Sequence, residues 1–136
     1  WLDSFITNVD RTVRNTNMLI WHKELWLIDH GASLYMHHSW HEPEKQALMP
    51  FKQIKDHVLL PYAGKIDEAN RTFKRMLSEE ALDSIVSKIP QEWLVNEGTF
   101  SSGDDQRNAY LRFLTMRLAN SDIFLNEALH AREALI

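Results

Sequence analysis

The sequence has no cysteine, which excludes disulfides and thiolate metal or redox sites and makes a reducing cytoplasm the expected location. Glycine is scarce: Gly31, Gly64, Gly98 and Gly103 stand too far apart to form a glycine-rich loop over phosphates. An excess of positive charge is also lacking, and a net charge of −4 with a pI near 6.0 argues against a nucleic-acid-binding surface. The longest apolar runs, such as Leu25 to Ile28, are far too short to span a bilayer, so no membrane segment is expected. No charged and apolar leader opens the chain, so no signal peptide is expected either. Internal repeats and low-complexity tracts are missing too. The remaining composition, 44% hydrophobic and 25% charged over 136 residues, is that of one domain able to bury its own core.

The informative stretch runs from Asn8 to Gly31. Asp10 and Asn15 lie in a segment rich in Asn, Asp, Arg and Thr, which reads as a loop. The short apolar runs Met18 to Trp21 and Leu25 to Ile28 follow, joined by His22, Lys23 and Glu24; they predict a β-hairpin closing on Asp29 just before Gly31. Their unbroken apolarity predicts burial on both faces, against the helices or under a further lobe. Transfer of a γ-phosphoryl group needs a carboxylate to orient the attacking hydroxyl and hard oxygens to hold Mg²⁺ against the nucleotide. Asp10, Asn15 and Asp29 provide those groups if the hairpin folds its far end back beside the loop. The D-x-x-x-x-N spacing alone carries little weight; its combination with a hairpin and Asp29-His30-Gly31 is far more specific. The competing reading is a polar turn followed by a structural hairpin.

At these residues, and especially along Leu25-Trp26-Leu27-Ile28-Asp29-His30-Gly31-Ala32-Ser33-Leu34-Tyr35, the sequence resembles the HipA-like kinases, whose catalytic loop reads approximately N-x-D-R-x-x-x-N. The resemblance implies the helical C-terminal lobe of a protein-kinase-like fold, with Asp10 as catalytic base, Asn15 and Asp29 as Mg²⁺ ligands, and ATP as phosphoryl donor. Its motifs cover roughly the first forty residues. Departures accompany it. Asn8 and Val9 stand where many kinases have His-Arg, Thr12 replaces a lysine, and His30 replaces the Phe of D-F-G. Arg11 or Arg14 is therefore expected at the transferring phosphate. Because the sequence begins at Trp1, nine residues before Asp10, it is expected to be part of a longer protein whose N-terminal lobe completes the nucleotide cleft; the fragment alone is expected to be inactive or nearly so.

Downstream of the hairpin the pattern is helical, so the expected fold is mainly α with one short hairpin: residues 1–35 form the catalytic loop and metal-binding hairpin, and 36–136 a helical subdomain of the same single lobe. Trp1 to Thr7 reads as the end of a helix leading into the loop. Ala32 to Trp40 is irregular or briefly helical, Pro43 and Pro50 bracket a short segment, and Phe51 to Leu60 predicts a helix ended by Pro61. Ile66 to Met76 predicts a helix with Ile66, Ala69, Phe73 and Met76 inward, and Ser78 an N-cap for Glu79 to Ile89. Pro90 opens a short turn containing Trp93 and Leu94. Asn96 to Asp105 reads as the most mobile loop. Gln106 to Asn120 carries the stripe Tyr110, Leu111, Leu114 and Leu118, and Ser121 is expected to cap a final helix reaching Ala134.

Three further features have ordinary explanations. His37, His38 and His41 suggest zinc by helical spacing, but no remaining ligand set accompanies them, so packed or solvated histidines are expected. Trp21, Trp26, Trp40 and Trp93 are expected in the core or at a lobe interface, and Asn17 as a turn or loop residue rather than a metal ligand. Lys52, Lys55, Lys65, Arg71, Lys74 and Arg75 read as a solvated helix face diluted by acids. For function, transfer of the ATP γ-phosphate to a protein Ser/Thr hydroxyl is expected of the parent. The alternatives are transfer to a small molecule and a non-catalytic interaction module on the same scaffold.

Overall fold

Trp1 anchors the start of the chain. Its ring stacks on Phe5 and Phe73 at 5.1 and 4.7 Å, and its Nε1 donates to Asn70 Oδ1 at 2.7 Å. Asn70 Nδ2 in turn donates to Asp122 Oδ1 at 3.0 Å, so one polar chain joins the N-terminus to two later helices. The structure, a computed structural model, describes residues 1–94 and 98–135. Among these the order is α1 (Leu2–Phe5), β1 (Met18–Trp21), β2 (Glu24–Leu27), α2 (Pro43–Ala47), α3 (Ile66–Met76), α4 (Glu79–Val86), α5 (Gly103–Ala119) and α6 (Asp122–Glu133). Short 3₁₀ turns occupy Tyr35–His38, Lys52–Asp56, Leu60–Tyr62 and Gln91–Trp93. The fold is mainly helical, and its one sheet among the described residues is the antiparallel β1–β2 hairpin.

Helices α5 and α6 form the centre. Phe113 and Leu114 of α5 and Phe124, Leu125 and Ala128 of α6 are buried with Phe5, Met36, Ile54, Leu60, Leu82 and Val86 in one cluster. Helix α5 packs on α2 and α4, while α6 packs on α3 and on the 3₁₀ turn at Lys52–Asp56. The expected stripe is only part of the buried arc. Tyr110, Leu111 and Leu118 are partly buried, whereas Gln106 and Arg117 reach deeper.

Arg117 explains how a charged residue can sit in that arc. It is 1% exposed, and its guanidinium donates to the carbonyls of Ser4, Phe5, Ala47 and Met49. These carbonyls lie at the ends of α1 and α2, where a helix leaves acceptors unmatched. Its Cζ also lies 4.9 Å from the Phe124 ring centroid, within cation–π range. Burial pushes its pKa down to about 10, so it stays charged at neutral pH.

Several expectations are corrected. The hairpin forms, but Glu24 opens β2 rather than closing the turn: it pairs with Trp21 across His22 and Lys23, and β2 ends at Leu27, leaving Ile28 outside it. However, it is not buried on both faces: Ile20 is 71% exposed, and Trp21, Leu25 and Trp26 are exposed as well. No helix of the described chain reaches over them. Phe51 to Leu60 is not an α-helix. His57 takes extended backbone (φ −70°, ψ 128°) to bridge Thr12, which splits the segment into two 3₁₀ turns, and Pro61 lies inside the second. Met76 ends α3 at 65% exposure rather than facing inward.

Helix α4 stops at Val86 rather than Ile89, although Ser78 does cap it, accepting from Ala81 N at 3.2 Å. Gly103 to Asp105 belong to α5 rather than to the loop, because Ser102 Oγ accepts from Asp105 N at 3.1 Å. Asn96 and Glu97 lie outside the described residues. Ser121 is no cap: it is buried in helical backbone with its Oγ unpartnered, since α5 turns almost directly into α6. Of Trp21, Trp26, Trp40 and Trp93, only Trp40 packs inward, edge-on to Phe100 and Tyr110; the other three are exposed.

Replacing Arg117 by alanine removes the one side chain that donates to the carbonyls of Ser4, Phe5, Ala47 and Met49 among the described residues. The expected loss is at least about 3 kcal/mol of unfolding free energy, read from urea midpoints. A loss below about 1 kcal/mol would show that water replaces the guanidinium.

Candidate active site

The loop that carries Asp10 is built on a buried carboxylate. Asp3, in α1, accepts from Asn8 Nδ2 at 2.9 Å, Arg11 Nε at 2.8 Å and His57 Nε2 at 2.8 Å. His57 Nδ1 accepts from Leu59 N at 3.1 Å, so the imidazole proton sits on Nε2, where it donates to Asp3. Burial alone would raise the Asp3 pKa. The hydrogen bonds from His57, Arg11 and Asn8, with the Arg11 charge, outweigh it and hold the carboxyl at about 2. Asn8 completes the link, because its Oδ1 accepts from Asp10 N at 3.2 Å.

Asp10 and Asn15 come together as expected. Asn15 Nδ2 donates to Asp10 Oδ2 at 2.7 Å, and Asn17 Nδ2 donates to the same oxygen at 3.3 Å. Among the described residues the second carboxylate oxygen of Asp10 and the amide oxygen of Asn15 have no hydrogen-bond partner. Thr12 shapes the intervening turn: its N donates to Asn15 O at 2.9 Å, and its Oγ1 accepts from the backbone N–H groups of Arg14 and Asn15. Asn17 lies in the loop directly before β1, within the expected turn or loop assignment, held at φ 46°, a conformation Asn tolerates better than most residues. It is also a contact of Asp10, which spacing alone does not reveal.

Asp29 stands exposed at the end of β2 in left-handed backbone (φ 50°), its Oδ1 accepting from Gly31 N at 3.3 Å. The base of the hairpin closes through Ile28 N donating to Asn17 O at 2.9 Å. Val9 N donates to Ala32 O, and Leu34 N to Ile6 O, so the segments before Asp10 and after Gly31 run side by side.

The two arginines part ways. Arg14 is exposed with no side-chain partner among the described residues. Arg11, expected at a phosphate, is instead 1% exposed, and Asp3 draws it inward. Its Nη1 donates to the carbonyls of Asn17 and Ile28, and its Nη2 to His30 Nε2 at 3.2 Å. An arginine cannot accept, so His30 Nε2 is the acceptor. The residues missed from sequence are Asp3, Asn8 and His57. Asn8 and Asp3 sit within one turn of the predicted helix end, but Asp3 and His57 are 54 positions apart, and nothing local marks them as partners.

The donor set suits Mg²⁺, which takes hard oxygens and is commonly held by one or two carboxylates together with substrate phosphates. Among the described residues no group of three or more His, Cys, Asp or Glu side chains gathers into a self-sufficient metal cage. That includes the histidines at 37, 38 and 41. His37 Nδ1 lies 3.2 Å from the Tyr110 hydroxyl, and its pKa is lowered by burial and then by neighbouring His38; His41 faces Glu42. No described helix is long and apolar enough to cross a membrane.

With this geometry in view, the chain belongs to the HipA-like kinase family, whose model matches residues 1–127. Membership extends well beyond the motif-bearing first forty residues and indicates phosphoryl transfer of the kinase kind. Comparison with curated proteins and with solved structures gives no significant match.

Because the folded Asp3 carboxyl titrates below the ordinary value near 4, its contribution to stability is complete above about pH 4 and is lost as pH falls towards 2. About 2 kcal/mol should disappear over that window in urea titrations. Asp3→Asn should be less stable at neutral pH and lack that component of the acid loss.

Proposed function

We propose that this chain is the C-terminal lobe of a kinase that moves the ATP γ-phosphate onto a hydroxyl of a protein Ser or Thr. The carrying observation is the pair of amide donors, Asn15 and Asn17, on one oxygen of Asp10. They fix the plane of the carboxylate and leave its other oxygen open for an incoming hydroxyl, as a catalytic base requires. In this reading Asp10 orients that hydroxyl and takes its proton.

Asn15, through its amide oxygen, and Asp29, through its carboxylate, would hold Mg²⁺. The bound magnesium nucleotide would supply the phosphoryl group and neutralise its charge during transfer. Exposed Arg14 is the basic side chain assigned to phosphate contact, since Arg11 is committed to the interior. Both faces of the hairpin carry bare apolar side chains, Ile20 and Leu25 on one and Trp21 and Trp26 on the other, which fits a lobe that continues beyond this chain and closes over the nucleotide.

In the protein that carries this chain, Asp10→Ala should slow turnover by a thousandfold or more, on the order of 4 kcal/mol of barrier. Radiolabelled ATP offered with protein and small-alcohol acceptors should label protein. Labelling of small alcohols alone would replace the acceptor class, and near-normal rates in the variant would overturn the role of Asp10. Asp29→Ala should abolish magnesium-dependent nucleotide binding; retention of that binding would favour a non-catalytic scaffold.

A further inference from the structure

We propose that Arg11 is the positioning residue of the metal site, a splint that sets where Asp29 stands relative to Asp10. This rests on the phosphoryl-transfer reading above and adds a residue that acts through others. Arg11 follows Asp10 directly in the chain, so its backbone moves with the catalytic loop. Its side chain crosses to the hairpin and touches the residues on both sides of Asp29: the Ile28 carbonyl at 3.4 Å and the His30 ring at 3.2 Å. The same Nη1 also holds the Asn17 carbonyl, whose residue contacts Asp10.

A guanidinium is planar, and its donors keep a fixed spacing, so acceptors bound to it are held at set positions relative to one another. Asp29 needs such support. It is exposed and sits in left-handed backbone, a conformation that costs free energy unless the surroundings enforce it. Its only hydrogen bond among the described residues is the local one from Gly31. Asp3 anchors the other end of Arg11 at Nε, and His57 and Asn8 steady Asp3. A rigid path therefore runs from α1 to the residues that bracket Asp29. Groups that orient metal ligands in this way commonly alter metal affinity or activity by about 10–100-fold when removed.

The test is titration of the protein with Mn²⁺ alone, followed by paramagnetic broadening of backbone amide signals, with thermal unfolding recorded for every variant. In the parent sequence the signals of Asp10, Asn15 and Asp29 should broaden together. Arg11→Lys keeps the charge beside Asp3 but offers one donor atom in place of the fork; it should bind Mn²⁺ about 10–100-fold more weakly while still folded. His30→Phe removes only the far acceptor at an exposed position and should weaken binding in the same direction. His30→Gln, which restores an acceptor, should recover most of it.

Wild-type Mn²⁺ affinity in folded Arg11→Lys, with affinity lost in Asp29→Ala, would overturn the role of Arg11 and leave the metal site standing. If Arg11→Lys fails to fold, the His30 pair decides: equal binding by Phe and Gln would overturn the proposal. Unchanged affinity in Asp29→Ala would bring down the metal-site reading itself, and this inference with it.

Discussion

The pairing of Asp3 with Arg11 is the constraint on which the rest of the candidate site depends. A carboxylate and a guanidinium removed from water are costly unless their remaining hydrogen-bonding capacity is filled, and here it is. Asp3 takes Asn8 and His57 besides Arg11, and Arg11 spends its other nitrogens on two carbonyls and a histidine. Together these residues come from four parts of the chain: α1, the Asp10 loop, the hairpin base and the segment at residue 57. One ion pair thereby registers four pieces of backbone that share no helix and almost no sheet.

A second arginine solves a related problem for the helical half. Arg117 meets no carboxylate among the described residues; it is surrounded by carbonyls from the ends of α1 and α2 and by the face of Phe124. Irregular chain has carbonyl groups without ladders to accept into, and a buried arginine, with five donors and a long stem, can serve several at once. The first sixty residues are rich in such backbone, with Thr7, Asn17, Asp29, Leu34, Trp40 and Glu42 in left-handed conformations outside the hairpin turn. The two arginines hold this irregular backbone in place, Arg11 at the Asp10 loop and the hairpin base and Arg117 at the ends of α1 and α2.

The exposed hairpin gives this arrangement a direction. Its base is tied to the Asp10 loop through Asn17, Ile28 and Arg11, while Ile20, Trp21, Leu25 and Trp26 on its strands stay exposed. A tether at the base and exposed apolar side chains on the strands are what the proposed reading asks of an element that meets a further lobe.

Local chemistry written into the sequence determined most of the helices, the presence of the hairpin, the cap at Ser78, and the grouping of Asp10 with Asn15. These depend on neighbours within a few positions, so composition and spacing reveal them. Tertiary structure alone decided that Arg11 points inward rather than at a phosphate, because the carboxylate that draws it belongs to α1 and is steadied by His57, 54 positions further along. It also decided that Phe51 to Leu60 breaks into 3₁₀ turns, since residue 57 is needed as extended backbone beside Thr12. Burial of a charge and recruitment of a distant backbone are consequences of the folded neighbourhood, and no local pattern in the chain encodes them.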